Sequence, residues 1–325
     1  MGLINQLNAT TTYAWLQTNA EDIVNKASAL LWKLMGQAVK LGNWEVQAHE
    51  TVDGGLMTKV PLEYATSHNG SYGANTIIEQ SKKDIVEAAR FGWGGAYGSN
   101  TLGLDDLTQN TGDAAIISLT KQYMASIKKS IRINMASQVI AAAADSDSIN
   151  GLGDLFNTTA NVEYGSIAAD DIAAWKANVI TDVEAIGFET IQKIFRKPAM
   201  GEFAGTLPNF CCTTAVLRDG YERTLHPQRI IRDGNLVKAG WDNIMHKTAP
   251  IVADAYYSPG IFDALNLNTL NLRAHKDYNF TTPVWESKSV LGQPDTISAN
   301  TRWRGNLYCN NRQLNVRHTN LTEPT

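Results

Sequence analysis

Apolar and polar positions change rhythm several times along the chain, and each rhythm predicts a different element. MGLINQLNATTTYAWLQTNA opens the sequence with no charged side chain and reads as an extended, Thr- and Asn-rich arm. Over residues 20–39, Ile23, Ala27, Leu30, Leu31 and Leu34 recur three and four apart, one face of a helix of about five turns. Glu21 and Asp22 sit in its first turn, where acids suit the helix dipole, and Gly42 closes it.

From Trp44 to Gly98 the texture differs. LMTKVPLEY alternates in short apolar steps around Pro61, and a proline inside a strand places that strand at an edge. Asn69-Gly70 follows as a strong turn signal, and NTIIEQSKKDIVEAARFGWGGAYG runs back. A two-stranded excursion of roughly fifty residues is marginal alone in water and needs another surface to lie on. Next, no Gly or Pro occurs between Gly112 and Gly151, and Asp113 to Ala144 reads as one helix. Ile116, Ile117, Met124, Ile127, Ile131, Met135 and Val139 supply its apolar face. It would be about 48 Å long, far beyond the average helix. Lys121, Lys128 and Arg132 form a basic stripe along it, most simply a solvated face.

INGLGDLF breaks that helix. NVEYGSIAADDIAAWKANVITDVEA then predicts a loop and a second helix capped near Asp170, and FETIQKIFRKP a further helix. PNFCCTTAVL reads as a strand buried on both faces, and RDGYERTLHP as a helix ended by Pro227. TAPIVADAYYSPGIFDALNLNTLNLRA gives two strands around the turn Ser258-Pro259-Gly260, and NLYCNN one more. The fold class is α+β.

Composition narrows the function classes. With 325 residues, 43 % of them apolar, the chain can build one large core or two ordinary ones. Only 18 % of residues are charged, below the roughly 25 % typical of soluble proteins, and 27 Asn take up the difference. Lys+Arg 28 against Asp+Glu 32 leaves a net charge of −4. That balance excludes a dedicated nucleic-acid binder and a polybasic membrane-surface protein. A surface low in charge and rich in amides suits a chain that lives against copies of itself. Three cysteines with a vicinal pair, Cys211-Cys212, plus Cys309, make no disulfide framework; reduced thiols and a cytosolic origin are expected. The opening lacks the basic start and apolar segment of a secretory signal, and no run is long enough to span a membrane.

No constellation asks to be an active site. Gly92-Trp93-Gly94-Gly95 is followed by no Lys before Lys121, so it is no phosphate loop; it reads as flexible joints at the base of the excursion. The six histidines, His49, His68, His226, His246, His275 and His318, fall in no metal-ligand spacing. There is no GxSxG elbow, and Cys211-Cys212 in an apolar strand has no cationic neighbour to make a thiolate. Asp105-Asp106 and Asp170-Asp171 precede helices and look like caps. The residues point to no catalytic group, no cofactor and no metal.

Taken in order, the elements resemble the major capsid proteins of tailed bacteriophages, with the Hong Kong 97-type fold. Residues 1–43 look like the N-terminal arm, 44–98 with the Asn69-Gly70 tip like the extended β-hairpin loop, and Asp113 to Ala144 like the spine helix. INGLGDLF, PNFCCTTAVLRDGYERTLHP, GWDNIMHKTAPIVADAYYSPGIFDALN and RGNLYCNNRQL are similar to passages that follow in those proteins. The resemblance covers essentially the whole chain and implies a peripheral domain from 99–186 and 272–325 and an axial domain at 187–271. It implies a subunit that self-assembles, as hexamers and pentamers, into an icosahedral shell around double-stranded DNA. Portal and decoration proteins are implied partners, with non-specific contact to packaged DNA and no membrane. The chain starts directly with the arm, so assembly is expected to use a separate scaffolding protein or none. Lys59, Lys82 and Lys83 lie in the loop, but no motif marks a cross-linking partner. The implied location is the virion, assembled in the bacterial host cytoplasm.

Assembly contacts are expected at Glu63, Asn69, Gly70 and Glu79 of the loop, meeting Lys121, Lys128 and Arg132 on a neighbour's long helix. Residues 1–43 are expected to lie mainly on other subunits. An encapsulin-type nanocompartment shell with the same fold is the nearest alternative. A tail-tube subunit and an α+β enzyme with an unrecognised site follow.

Overall fold

The computed structural model describes residues 8, 28–35, 49–65, 67–73, 77–109, 113–159, 161–168, 170–198, 207–225, 232–238, 240–281, 283–287 and 296–324. Its spine is the helix Asp113–Ile140, 28 residues long. Met124, Ile127, Ile131, Met135 and Val139 are all buried, as the period predicts; the side chains of Ile116 and Ile117 lie outside the described residues. The helix stops short of Ala144 because the following turn folds back onto it. Asp154 accepts from the backbone of Ala143 (2.9 Å) and of Gly151 (3.1 Å). Gly151 and Gly153 lie so close to the helix end that a Cβ on either would overlap the backbone of residues 141 and 142.

A five-stranded sheet covers this helix. Strand Thr296–Cys309 is central, paired antiparallel with Gly94–Gly103 on one side and with Leu270–Asn279 and Glu286–Ser287 on the other; His49–Val52 adds outside Leu270–Asn279. Even-numbered residues of Gly94–Gly103 face the helix. A Cβ on Gly98 would sit 2.7 Å from the Ile127 carbonyl oxygen, and one on Gly94 2.5 Å from that of Ser148. The expectation of flexible joints is therefore corrected at Gly94 and Gly95, which lie within the paired strand. Gly94 and Gly98 permit the strand's close approach to the turn behind it and to the helix.

The second sheet has six strands, ordered Asn243–His246, Ala249–Ala253, Phe210–Thr213, Phe262–Leu265, Val316–His318, Asn178–Ile180. Phe210–Thr213 is buried on both faces, as its uninterrupted apolar run requires. Helices Phe188–Arg196 and Ala215–Thr224 close a core of Ile191, Ile194, Phe195, Leu217, Tyr221 and their sheet neighbours. Two of the six strands come from outside 187–271, so this lobe is not the contiguous segment the sequence suggests. At the seam, Asp263 and Arg317 stand opposite each other, joined by two hydrogen bonds of 2.7 Å. The Arg317 guanidinium also stacks 4.6 Å from the Phe156 ring, in the first core.

The second helix expected near Asp170 does not form. The chain makes the hairpin Glu163–Tyr164/Ile167–Ala168, turned through Gly165 and Ser166 at positive φ, then a short 3-10 turn, Ala173–Trp175, and the strand Asn178–Ile180. The Trp175 indole donates to the Tyr164 carbonyl (2.9 Å), and Asn178 donates to the Gln313 carbonyl (2.6 Å). These long-range bonds outweigh the helix propensity of an alanine-rich run.

The arm is also partly corrected. Within 28–35 the helix is Ala29–Met35, with Ala29, Leu30, Leu31, Leu34 and Met35 buried in this chain's own core. Ser28 caps it and donates to Asp254 (2.5 Å). Asn8 exchanges two hydrogen bonds with the Trp285 backbone. These residues therefore pack on their own subunit; the rest of 1–43 lies outside the described residues.

Candidate assembly surface

The hairpin from Thr58 to Phe91 pairs at its base, and most of its described residues beyond the ladder are exposed. Thr58–Glu63 and Val86–Phe91 pair antiparallel from Thr58↔Phe91 to Glu63↔Val86. Period-2 alternation buries Thr58, Val60 and Leu62 and exposes Lys59, Pro61 and Glu63. Val60, Leu62, Ala89 and Phe91 join the main core, with the Phe91 and Tyr164 rings 5.1 Å apart. The base is thus embedded. Pro61 lies in a two-stranded sheet with a free side, the edge position a proline tolerates.

The ladder ends where Tyr64 donates to the Ile85 carbonyl (3.1 Å), and the described residues beyond it form neither strand nor helix. Asn69 and Gly70 are exposed, and Gly70 does not adopt the positive φ of a tight hairpin turn. The two legs are instead tied by His68, whose ring lies 3.3 Å from Glu79, with Ser81 bridging both. Glu63 is exposed at the ladder's end, and Glu79 binds His68 and Ser81 rather than the long helix. Lys128 and Arg132 are half-buried on that helix; the Lys121 side chain lies outside the described residues. Among the described residues of one subunit, Glu79 meets His68 and Ser81 and no ion pair joins Glu63 or Glu79 to Lys128 or Arg132.

What the sequence reading missed is apolar. Tyr72 is 79 % exposed, Ile77 95 % and Leu56 88 %. The signal was present in the Ile77-Ile78 pair, but an apolar pair in sequence looks the same whether it faces a core or a partner. Where the hairpin leaves the body, Gly54 and Gly55 adopt positive φ, and the Trp93 indole donates to the Gly55 carbonyl (2.7 Å).

Beside this base, a groove of about 830 Å³ runs along strand Gly94–Gly103, with Tyr97, Tyr278, Arg302 and Arg304 among its walls. Among the described residues no cluster of His, Cys, Asp and Glu is arranged to hold a metal ion. All three thiols are buried, which pushes Cys309 up to about 11 and Cys211 and Cys212 higher still. Burial lowers His246 to about 4; its Nδ1 lies 2.7 Å from the Tyr221 hydroxyl, among the rings of Phe188 and Phe195.

No family model and no curated protein matches the sequence. Solved structures do. The chain superposes on the capsid asymmetric unit of cyanophage A-1(L) with TM-score 0.64 and 14 % identity, over 87 % of this chain and 95 % of that one. It matches the capsid of a native GTA particle at TM-score 0.56 and 8 % identity, covering 86 % and 89 % of the two chains. It matches the SrpI encapsulin of Synechococcus elongatus PCC 7942 at TM-score 0.50 and 10 % identity, covering 88 % and 89 %. Identities this low speak for the fold. The chain has the α+β Hong Kong 97-type fold of shell subunits.

Proposed function

We propose that this chain is the major capsid protein of a tailed bacteriophage, self-assembling as hexamers and pentamers into the icosahedral shell around its double-stranded DNA. The carrying observation is a hairpin rooted in its own core whose tip offers Ile77 and Tyr72 to solvent. A monomer gains nothing from such exposure, whereas a shell subunit buries it on a neighbour. Obligate contacts of this kind run to thousands of Å². Residues 1–43 then act as arm, 44–98 as extended loop, 99–186 and 272–325 as peripheral domain, and 187–271 as most of the axial domain.

In this reading Glu63 and Glu79, flanking the Asn69-Gly70 tip, approach Lys121, Lys128 and Arg132 of the adjacent subunit. Exposed pairs contribute only about 0–1 kcal/mol each, so they guide register while apolar burial supplies the hold. The subunit performs no chemistry and needs no cofactor. Its partners are copies of itself, a separate scaffolding protein where one is used, portal and decoration proteins, and DNA touched without sequence preference. It assembles in the host cytoplasm and resides in the virion. Electron microscopy of the purified chain tests this: closed megadalton particles are expected, and a monomer or dimer at all concentrations would overturn it. Particles from producing cells should protect double-stranded DNA from nuclease. Enclosed enzyme instead of DNA would favour a nanocompartment shell.

A further inference from the structure

We propose that Asn69 is a site of spontaneous, uncatalysed deamidation, at which the exposed hairpin gains a carboxylate as the chain ages. The inference stands apart from the shell reading, since it concerns the single subunit.

The reaction needs an asparagine side-chain amide, the backbone nitrogen of the next residue, and freedom for the two to meet. The Gly70 nitrogen attacks Asn69 Cγ. A new C–N bond forms as the bond to the side-chain nitrogen breaks, and that nitrogen leaves as ammonia with the proton Gly70 gives up. Water then opens the cyclic imide at one of its two carbonyls. The product is aspartate or, with the main chain rerouted through the side-chain carboxyl, isoaspartate. Glycine hinders the attack least, because it places no Cβ beside the nitrogen.

Of the 27 asparagines, Asn69 and Asn150 precede a glycine, and the sequence ranks them alike. Their surroundings separate them. Asn69 and Gly70 are both exposed, in a stretch that forms neither strand nor helix. Among the described residues neither the Asn69 side chain nor the Gly70 N–H makes a hydrogen bond. A Cβ on Gly70 would meet nothing within 4 Å, so the backbone has room to swing toward the side chain.

At Asn150 each condition is reversed. Gly151 is buried, and its N–H donates to the Asp154 carboxylate (3.1 Å). A Cβ on Gly151 would overlap the carbonyl oxygens of Gln138 and Ala141, so its nitrogen is fixed against the helix end. The Asn150 N–H is held as well, by Asn306 Oδ1 (2.8 Å). Attack there must first strip a buried donor of its acceptor and break close packing.

Each conversion at Asn69 takes the net charge one unit below its present −4. The new charge joins Glu63 and Glu79 on the same hairpin, and isoaspartate also lengthens the main chain by one carbon.

The full chain, kept dilute and unassembled, is incubated at neutral pH below its melting temperature in water labelled with heavy oxygen. It is then digested and mapped by mass spectrometry. Label should enter the peptide carrying Asn69 at least tenfold faster than the one carrying Asn150, with aspartate and isoaspartate both found at position 69. The chain unfolded in urea should lose this difference, the two sites converting at similar rates. Gly70→Ala has free space for its methyl. It should keep the wild-type circular dichroism and slow conversion at Asn69 at least fivefold, with Asn150 unchanged. Equal rates at the two sites in the folded chain would overturn the proposal. So would a folded chain unlabelled at Asn69 after a time in which the unfolded chain converts. An unchanged rate in Gly70→Ala would overturn the route through the Gly70 nitrogen.

Discussion

At residue 98 the strand leaves room for a hydrogen atom and little more. A methyl there meets the Ile127 carbonyl at 2.7 Å and Ile131 Cβ at 3.2 Å, both held by the helix. Gly98→Ala should therefore cost about 1–3 kcal/mol, the usual range for overpacking. Gly92, with nothing within 4 Å of its would-be Cβ, should accept alanine almost without effect. Urea unfolding of the unassembled variants separates the two; equal losses would mean that the close approach is not what constrains position 98. Sequence alone ranks these glycines alike, because it records that a side chain is missing but not what occupies its place. The same blindness hid Tyr72 and Ile77, apolar residues whose exposure is settled only by how far the loop stands from the body.

Elements were legible where local pattern and tertiary need agreed. Twenty-eight residues without Gly or Pro, with apolar positions on one face, can hardly be anything but the helix Asp113–Ile140. The strand Phe210–Thr213 declared itself by an apolar run flanked by polar residues. Residues 170–185 were illegible because their partners, Gln313 and Val316–His318, lie more than 130 positions away. The hairpin was read as an excursion but not divided into an embedded ladder and a free tip. That division predicts an outcome. Replacing 65–84 by Asn-Gly joins Tyr64 to Ile85, a hydrogen-bonded pair suited to a two-residue turn. The shortened subunit keeps Val60, Leu62, Ala89 and Phe91 in its core, so its melting temperature should stay within a few degrees of wild type. It should form no shells by electron microscopy; normal particles would remove the tip from the assembly contacts.

At the scale of the whole molecule, the two cores are held together by a buried charge pair. Asp263 is fully buried, donors reach it from Arg317 and from the Tyr257 hydroxyl (2.9 Å), and Arg317 spans to Phe156. Arg317→Met strands a carboxylate in the interior and should cost about 3–5 kcal/mol, whereas Arg317→Met/Asp263→Leu should recover most of that. Chemical denaturation of the three proteins gives the comparison, and additive losses would show that the pair is not coupled. Arg317 sits on Val316–His318, which lies inside the second sheet, between Phe262–Leu265, the strand of Asp263, and Asn178–Ile180. A strand made after the other five is therefore an interior member of the sheet. At about 5–20 residues per second, the ribosome leaves the earlier strands waiting for a partner for several seconds. Until residue 318 emerges, a nascent chain holds Phe262–Leu265 and Asn178–Ile180 without the strand that joins them, so a chain cut short before it cannot close this sheet.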